Sequence, residues 1–304
     1  MRNAELWKDT HRRGGRALCV TGVGGYRERM PCAQARRRPA AVPCALLAAA
    51  LGTAGCVKDV VSWSEETRVG GPPAASARLV LGANGAPAFV AAWTPPTTPG
   101  GSTICPGSLA AAPARGDTAF AAWWASRGDS TAVLVAARSN DRGRAWGEAV
   151  IADSTDRGRT GCRRAAPFLA VDSLTGNVHL AYFLEAPEGP GVFLTHSMEG
   201  GAMFHAPVPV VYGERPSAAA VAARGDTVAV AFTDPNAAAP QLWLAISRST
   251  GHILEQRARV SSPAASASRP AVALRGDRIA VAWYETARGS ETGTTVIRTG
   301  RLRP

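Results

Sequence analysis

The chain has 304 residues, 46% hydrophobic and 19% charged, with 32 glycines and 22 prolines. That is apolar material enough for one large domain or two ordinary ones, and it excludes a disordered chain. The formal charge of +11 points first to nucleic acid, but its distribution points away. Residues 1–56 carry ten basic side chains against Glu5, Asp9 and Glu28, a net +7, which leaves +4 for the other 248 residues. All basic residues but Lys8 and Lys58 are arginines, in a chain rich in Ala, Gly and Pro. No basic stripe interleaved with aromatics follows, so nucleic acid is not expected as a partner.

In chain order, residues 1–29 show no apolar periodicity, and Met30 begins a leader of ordinary proportions; translation is expected to start there. Arg36-Arg37-Arg38 precedes an apolar run, Pro39–Ala50, too short to span a bilayer, and then small residues up to Cys56. A positive start, a short apolar centre and small residues before a break describe an export signal. The run Leu51-Gly52-Thr53-Ala54-Gly55-Cys56 resembles the lipobox of bacterial lipoproteins, although Thr53 stands where that family usually has an aliphatic residue. The resemblance implies that Cys56 is lipidated, becomes the mature N-terminus and anchors the protein to the membrane of the cell envelope. Ordinary cleavage near Ala54–Cys56, leaving a secreted or periplasmic soluble protein, is the alternative. The expected organisation is a leader over 1–56, a linker over 57–77 with a ring-closing strand, and a folded region over 78–304.

Of six cysteines, Cys19, Cys32 and Cys44 lie in the leader and Cys56 is the lipidation candidate, so Cys105 and Cys162 remain. A lone pair in an oxidising compartment reads as a disulfide. No CxxC, His/Cys cluster or zinc spacing is visible, and neither metal nor cofactor is expected. No second long apolar run is present in the sequence.

A hairpin unit recurs: an apolar stretch, a Gly-Asp or Gly-Asn turn, then an alternating strand ending in an aromatic residue. Its copies end at Trp123, Tyr182, Phe232 and Trp283, with turns at Gly116-Asp117, Gly176-Asn177, Gly225-Asp226 and Gly276-Asp277. Gly-Asp and Gly-Asn pairs between alternating strands predict β-hairpins. The Arg-Gly-Asp triplets so formed are turn chemistry copied with the repeat, not an adhesion motif. Third strands are predicted at Ala132–Ala137, Val192–His196, Leu242–Ile246 and Thr294–Ile297. After three of them comes a further motif. It is complete in Ser139-Asn-Asp141-Arg-Gly143-Arg-Ala-Trp146, echoed in Ser197-Met-Glu199-Gly-Gly201-Ala-Met-Phe204, and weaker in Ser247-Arg-Ser-Thr-Gly251.

These residues resemble the Asp-box of bacterial neuraminidase repeats, found in sialidase-like β-propellers. The resemblance covers roughly residues 78–304 and implies an all-β fold of four-stranded blades, with five favoured and four or six left open. It implies a structural role for Ser139, Asp141, Gly143, Trp146, Ser197, Glu199, Gly201, Phe204, Ser247 and Gly251, on the face opposite the active site. An earlier hairpin over Arg78–Trp93 lies only 30 residues before Trp123, so its blade is degenerate or absent. The final copy lacks a fourth strand, which a segment near Asp59–Ser64 could supply.

In such a blade, the loops leading into the innermost strands share the functional face. Cys105 and Cys162 both lie there, and the expected bond ties two of these loops. Arg164, Arg215 and Arg269 also lie there and could converge on an acidic ligand, since guanidinium groups hold carboxylates bidentately. Sialidases use an arginine triad, but Arg269-Pro270 lacks the residue that separates Arg and Pro in the family's motif, and the other triad motifs are not recognisable. Trp93, Trp124, Glu185 and Asp234, at second-strand ends, could line a sugar-binding surface. The resemblance makes Tyr284 and Glu285 the candidate nucleophile pair, although neighbours on a strand point to opposite faces. Tyr182 reads as core, and Asp153–Gly158 as a solvated turn, not a calcium loop. The resulting expectation is an exported, lipid-anchored propeller that binds a glycan or acidic ligand. An active exo-glycosidase of sialidase type and a protein-interaction scaffold are the alternatives.

Overall fold

The computed structural model describes residues 59–74, 77–100, 104–128, 131–214, 218–290 and 292–303. The leader, Cys56 and Arg215 lie outside them. Among the described residues there is no helix, and every sheet is antiparallel.

Strand β1 (Val61–Gly70) comes first. β2 (Ala77–Leu81) and β3 (Pro87–Ala91) then form a two-stranded sheet. β4 (Ala110–Pro113), β5 (Ala119–Ser126), β6 (Ala132–Ser139) and β7 (Val150–Asp153) make a four-stranded meander. β8 (Phe168–Val171), β9 (Val178–Ala186), β10 (Gly189–Ser197) and β11 (Val208–Tyr212) make the next. β12 (Ala219–Arg224), β13 (Thr227–Thr233), β14 (Leu242–Ser247) and β15 (Gln256–Arg259) follow. Finally β16 (Ala265–Arg275), β17 (Arg278–Ala287) and β18 (Gly293–Leu302) pair in order, and β1 adds the fourth strand beside β18.

Local chemistry sets the hairpins. Arg224 pairs with Thr227, and Arg275 with Arg278, so each Gly-Asp is a two-residue loop. Gly225 and Gly276 take φ of 57° and 59° there, a region costly for residues with a Cβ. The last sheet is closed from the other end of the chain: Val61 faces Leu302 and Gly70 faces Thr294, with a bulge between Trp63 and Glu65. The hairpin over 77–91 has no third or fourth strand of its own, and residues 93–97 instead lie along the turn that follows β6.

The sheets pack face to face through separate apolar layers. Leu134 and Phe120 meet Leu180 and Tyr182; Val192 and Leu194 meet Val228 and Val230; Leu244 and Ile246 meet Ile279 and Trp283. Leu79 and Leu81 of β2 pack on Ala280 and Ala282 of the last sheet. Trp123, Trp124 and Trp283 are fully buried, and each contributes roughly 2–3 kcal/mol of transfer free energy. The innermost strands β2, β4, β8, β12 and β16 all border one cavity. Alanine dominates their facing positions, which lets the backbones approach closely.

Candidate functional site

The shared cavity encloses about 320 Å³. Its lining side chains are apolar, from Leu79, Leu169, Val221, Val272 and a set of alanines, and among the described residues Arg78 is the one charged residue that lines it. The Arg78 guanidinium donates to the Leu169 carbonyl at 3.1 Å and the Ala111 carbonyl at 2.9 Å. One side chain thereby links β2 to β8 and to the strand beside it, β4. No carboxylate among the described residues pairs with it, and burial pushes its pKa down. Sequence reasoning missed Arg78 by looking for arginines in loops. The available signal was a single arginine opening an otherwise apolar strand, Arg78-Leu-Val-Leu.

A second group gathers where β7 leads into β8. Cys105 and Cys162 are disulfide-bonded, with Cα atoms 4.9 Å apart. Arg164 is buried and donates from Nε and Nη2 to Asp156 Oδ2, at 2.9 and 2.5 Å, and from Nη2 to the Gly158 carbonyl at 2.8 Å. Its other Nη donates to the Thr160 hydroxyl. The Trp124 indole lies 5.9 Å from the guanidinium and donates to the Ala165 carbonyl at 3.0 Å. The Glu185 amide donates to Asp156 Oδ1 at 3.0 Å, and its carboxylate lies against Gly158. Arg164, Trp124 and Glu185 are thus brought together around Asp156. Beneath them the buried Tyr182 hydroxyl donates to Asp153 at 2.5 Å, and burial raises its pKa.

The remaining candidates stand apart from this group. Arg269 is exposed at φ 52° and donates to the Pro73 carbonyl at 2.8 Å. The Tyr284 hydroxyl accepts from the Gly293 amide at 2.8 Å, while Glu285 accepts from Arg68 at 2.8 Å and from the Trp283 indole at 3.1 Å. Asp234 accepts from the Asn236 amide at 2.9 Å in its own loop. Trp93 packs on the turn at Gly143, where an added Cβ would lie 2.9 Å from its ring.

Three turns repeat one hydrogen bond. The Ser139, Ser197 and Ser247 hydroxyls each accept from the amide of the glycine four residues on, at 2.8, 3.0 and 3.0 Å. In the first turn Asp141 also accepts from Ala145, Ser139 and Arg144, which lowers its pKa. Trp146 donates to the Thr97 carbonyl at 3.0 Å. Glu199 contributes its carbonyl to Ala202, and Phe204 packs against the layer containing Phe120.

The same end of the molecule holds a cluster absent from the linear spacing. His196 is the last residue but one of β10, His205 follows in the next loop, and His252 sits in the turn after β14. The ligating atoms of these three lie within 4.8 Å of one another. His196 stacks on His205 at 4.5 Å and meets the His252 ring edge-on at 4.4 Å. His179 stacks on the other side of His196 at 5.7 Å. Among the described residues, neither ring nitrogen of His179 or His196 has a hydrogen-bond partner. Burial lowers their pKa values to about 3 and about 4, with neighbouring imidazoles contributing. The four residues are scattered over two sheets, and only the juxtaposition of those sheets gathers them.

These features define an all-β protein of repeated four-stranded antiparallel sheets around a shared cavity. No family model matches the chain, and no curated protein matches it. Among solved structures it is similar to the Hadza microbial sialidase Hz136, at 16% identity and TM-score 0.41 over 59% of this chain and 42% of that one. It is similar to Trypanosoma rangeli sialidase at 12% identity and TM-score 0.41, over 76% and 42%. A xylan β-1,4-xylosidase from Bacillus halodurans C-125 has 12% identity and TM-score 0.41, over 75% and 53%. The chain spans less than two thirds of the length of each of these three.

Proposed function

We propose that the chain is a five-bladed, sialidase-like β-propeller of the cell envelope that binds an acidic saccharide, with Arg78 meeting the ligand's carboxylate in the shared cavity. The observation that carries this reading is the lone guanidinium in an apolar cavity. Two carbonyls take two of its five N–H donors and hold it in place, yet leave its charge unneutralised. A half-buried cation without a counter-charge is disfavoured, and an incoming carboxylate relieves that cost. The apolar walls suit the C–H faces of a sugar ring, and the volume lies at the lower edge of the small-ligand range.

Binding is favoured over turnover because the candidate catalytic groups are committed elsewhere. Tyr284 is tied to the Gly293 amide, and Glu285 to Arg68 and Trp283. The arginines and apolar run of the leader, and the Leu51–Cys56 segment, support export and lipid attachment at Cys56.

The test is a screen of sialylated and uronate-containing saccharides by glycan array and calorimetry, with a fluorogenic sialoside assayed in parallel. Saturable binding that falls at least tenfold in Arg78→Met, with unchanged circular dichroism, is the expected result. Binding indifferent to Arg78→Met, or turnover abolished by Tyr284→Phe, overturns the reading. Metabolic labelling with a fatty acid, present in the parent and lost in Cys56→Ser, tests the anchor.

A further inference from the structure

We propose that His196, His205 and His252 form a binding site for a divalent transition-metal ion of the zinc class, linking the β8–β11 sheet to the turn after β14. The strongest ground is His196. It is 1% exposed, and both its ring nitrogens lack a partner among the described residues. Buried polar atoms are almost always satisfied, and leaving one unmet is destabilising. A metal ion in the plane of the ring provides a partner for one of the two nitrogens.

The backbone aligns the second ring. The His205 amide donates to the His196 carbonyl at 2.9 Å, and its own carbonyl accepts from the Thr195 hydroxyl at 2.6 Å. These bonds hold the two imidazoles next to each other, stacked 13° from parallel, so His205 must turn its ring out of the stack to bring a nitrogen lone pair onto the same ion as His196. The third ligand is oriented from behind. His252 Nδ1 lies 2.8 Å from the Ser249 carbonyl, so Nδ1 carries the proton and Nε2 presents its lone pair. A carbonyl on the far nitrogen is the usual support of a metal-binding histidine.

Size and chemistry agree. Tetrahedral coordination at zinc–nitrogen distances near 2.0–2.1 Å sets ligand nitrogens about 3.3 Å apart. The present span of up to 4.8 Å has to close by more than about 1 Å, and the exposed His252 and half-buried His205 are the rings free to turn. The cluster contains imidazoles and no carboxylate, which selects zinc, cobalt, nickel or copper over magnesium and calcium. Three protein ligands leave a fourth position for water or a ligand donor atom.

The experiment is titration of the full chain with Zn²⁺ and Co²⁺, read by calorimetry, visible absorption and thermal melting, beside His252→Ala and His205→Ala. His252 is exposed, so its removal leaves the core intact, which circular dichroism verifies. Leader cysteines are distinguished by thiolate charge-transfer absorption, which a histidine-only site lacks. The expected result is one equivalent bound at micromolar affinity or tighter, with visible cobalt bands that His252→Ala abolishes. Affinity falls about 100-fold or more in that variant. Melting rises by roughly 5–10 °C at a hundredfold excess of Zn²⁺ over Kd in the parent only. Absence of saturable binding below millimolar concentration, equal affinity in the parent and both variants, or equal binding of Mg²⁺ overturns the proposal.

Discussion

The Arg164 guanidinium meets the Asp156 carboxylate at 2.5 Å, with 5% and 1% of the two side chains exposed. Removal of one partner from a buried pair strands the other charge, which costs about 3–5 kcal/mol. Arg164→Ala and Asp156→Ala are each expected to lower stability by that amount in urea unfolding. The double variant should lose much less than the sum. Additive losses would show that the contact carries no coupling.

The Cys105–Cys162 bond closes 57 residues of chain. In the chain-entropy account a loop of this size restricts the unfolded state by about 4 kcal/mol. Cys105→Ala with Cys162→Ala should therefore shift the denaturant midpoint downward and steepen the slope, because the released unfolded chain exposes more surface. An unchanged midpoint under reducing and non-reducing conditions would contradict this.

Each box serine accepts from a glycine amide that has turned inward. Ser139→Ala, Ser197→Ala and Ser247→Ala leave that amide unmet, and each is expected to destabilise by about 1–3 kcal/mol. Hydrogen exchange at Gly143, Gly201 and Gly251 should accelerate in the corresponding variant. Exchange left unchanged would mean that another acceptor replaces the hydroxyl.

His179 has a folded pKa of about 3, against about 6.5 when unfolded. Its folded pKa is depressed, so the unfolded chain binds the proton first. Stability is full above pH 6.5 and declines as pH falls towards 3. Between pH 6.5 and 4 this residue alone accounts for about 3 kcal/mol. His179→Phe should flatten the profile in chelator-treated protein; an equally steep profile in that variant would place the titration elsewhere.

The hairpins, third strands and serine turns were legible because each depends on residues within a few positions: a Gly-Asp pair, an alternating run, a serine four before a glycine. The disulfide was legible by elimination. Arg164 was expected to converge with Arg215 and Arg269 on a ligand, whereas it lies beside Trp124 and Glu185. Asp156, eight positions earlier, folds back and takes its charge instead. Arg78 and the histidines were illegible for another reason, since their neighbours come from other sheets. The last sheet's fourth strand runs over Val61–Gly70, well beyond the Asp59–Ser64 segment, because β18 offers a partner along its whole length. A short apolar motif marks where that pairing begins, but nothing in the largely polar stretch Ser64–Arg68 marks how far it extends.

The pairing of β1 with β18 also fixes an order of events. Ser64 meets Thr299 across 235 positions of chain, so β1 waits for a partner strand made much later. Throughout synthesis and any passage across a membrane, β1 is an unpaired edge, the kind of surface that recruits foreign strands. Its outward glutamates, Glu65 and Glu66, with Arg68, guard that edge while it waits. Loss of residues 293–303 would leave it permanently open, and such a truncated chain should aggregate.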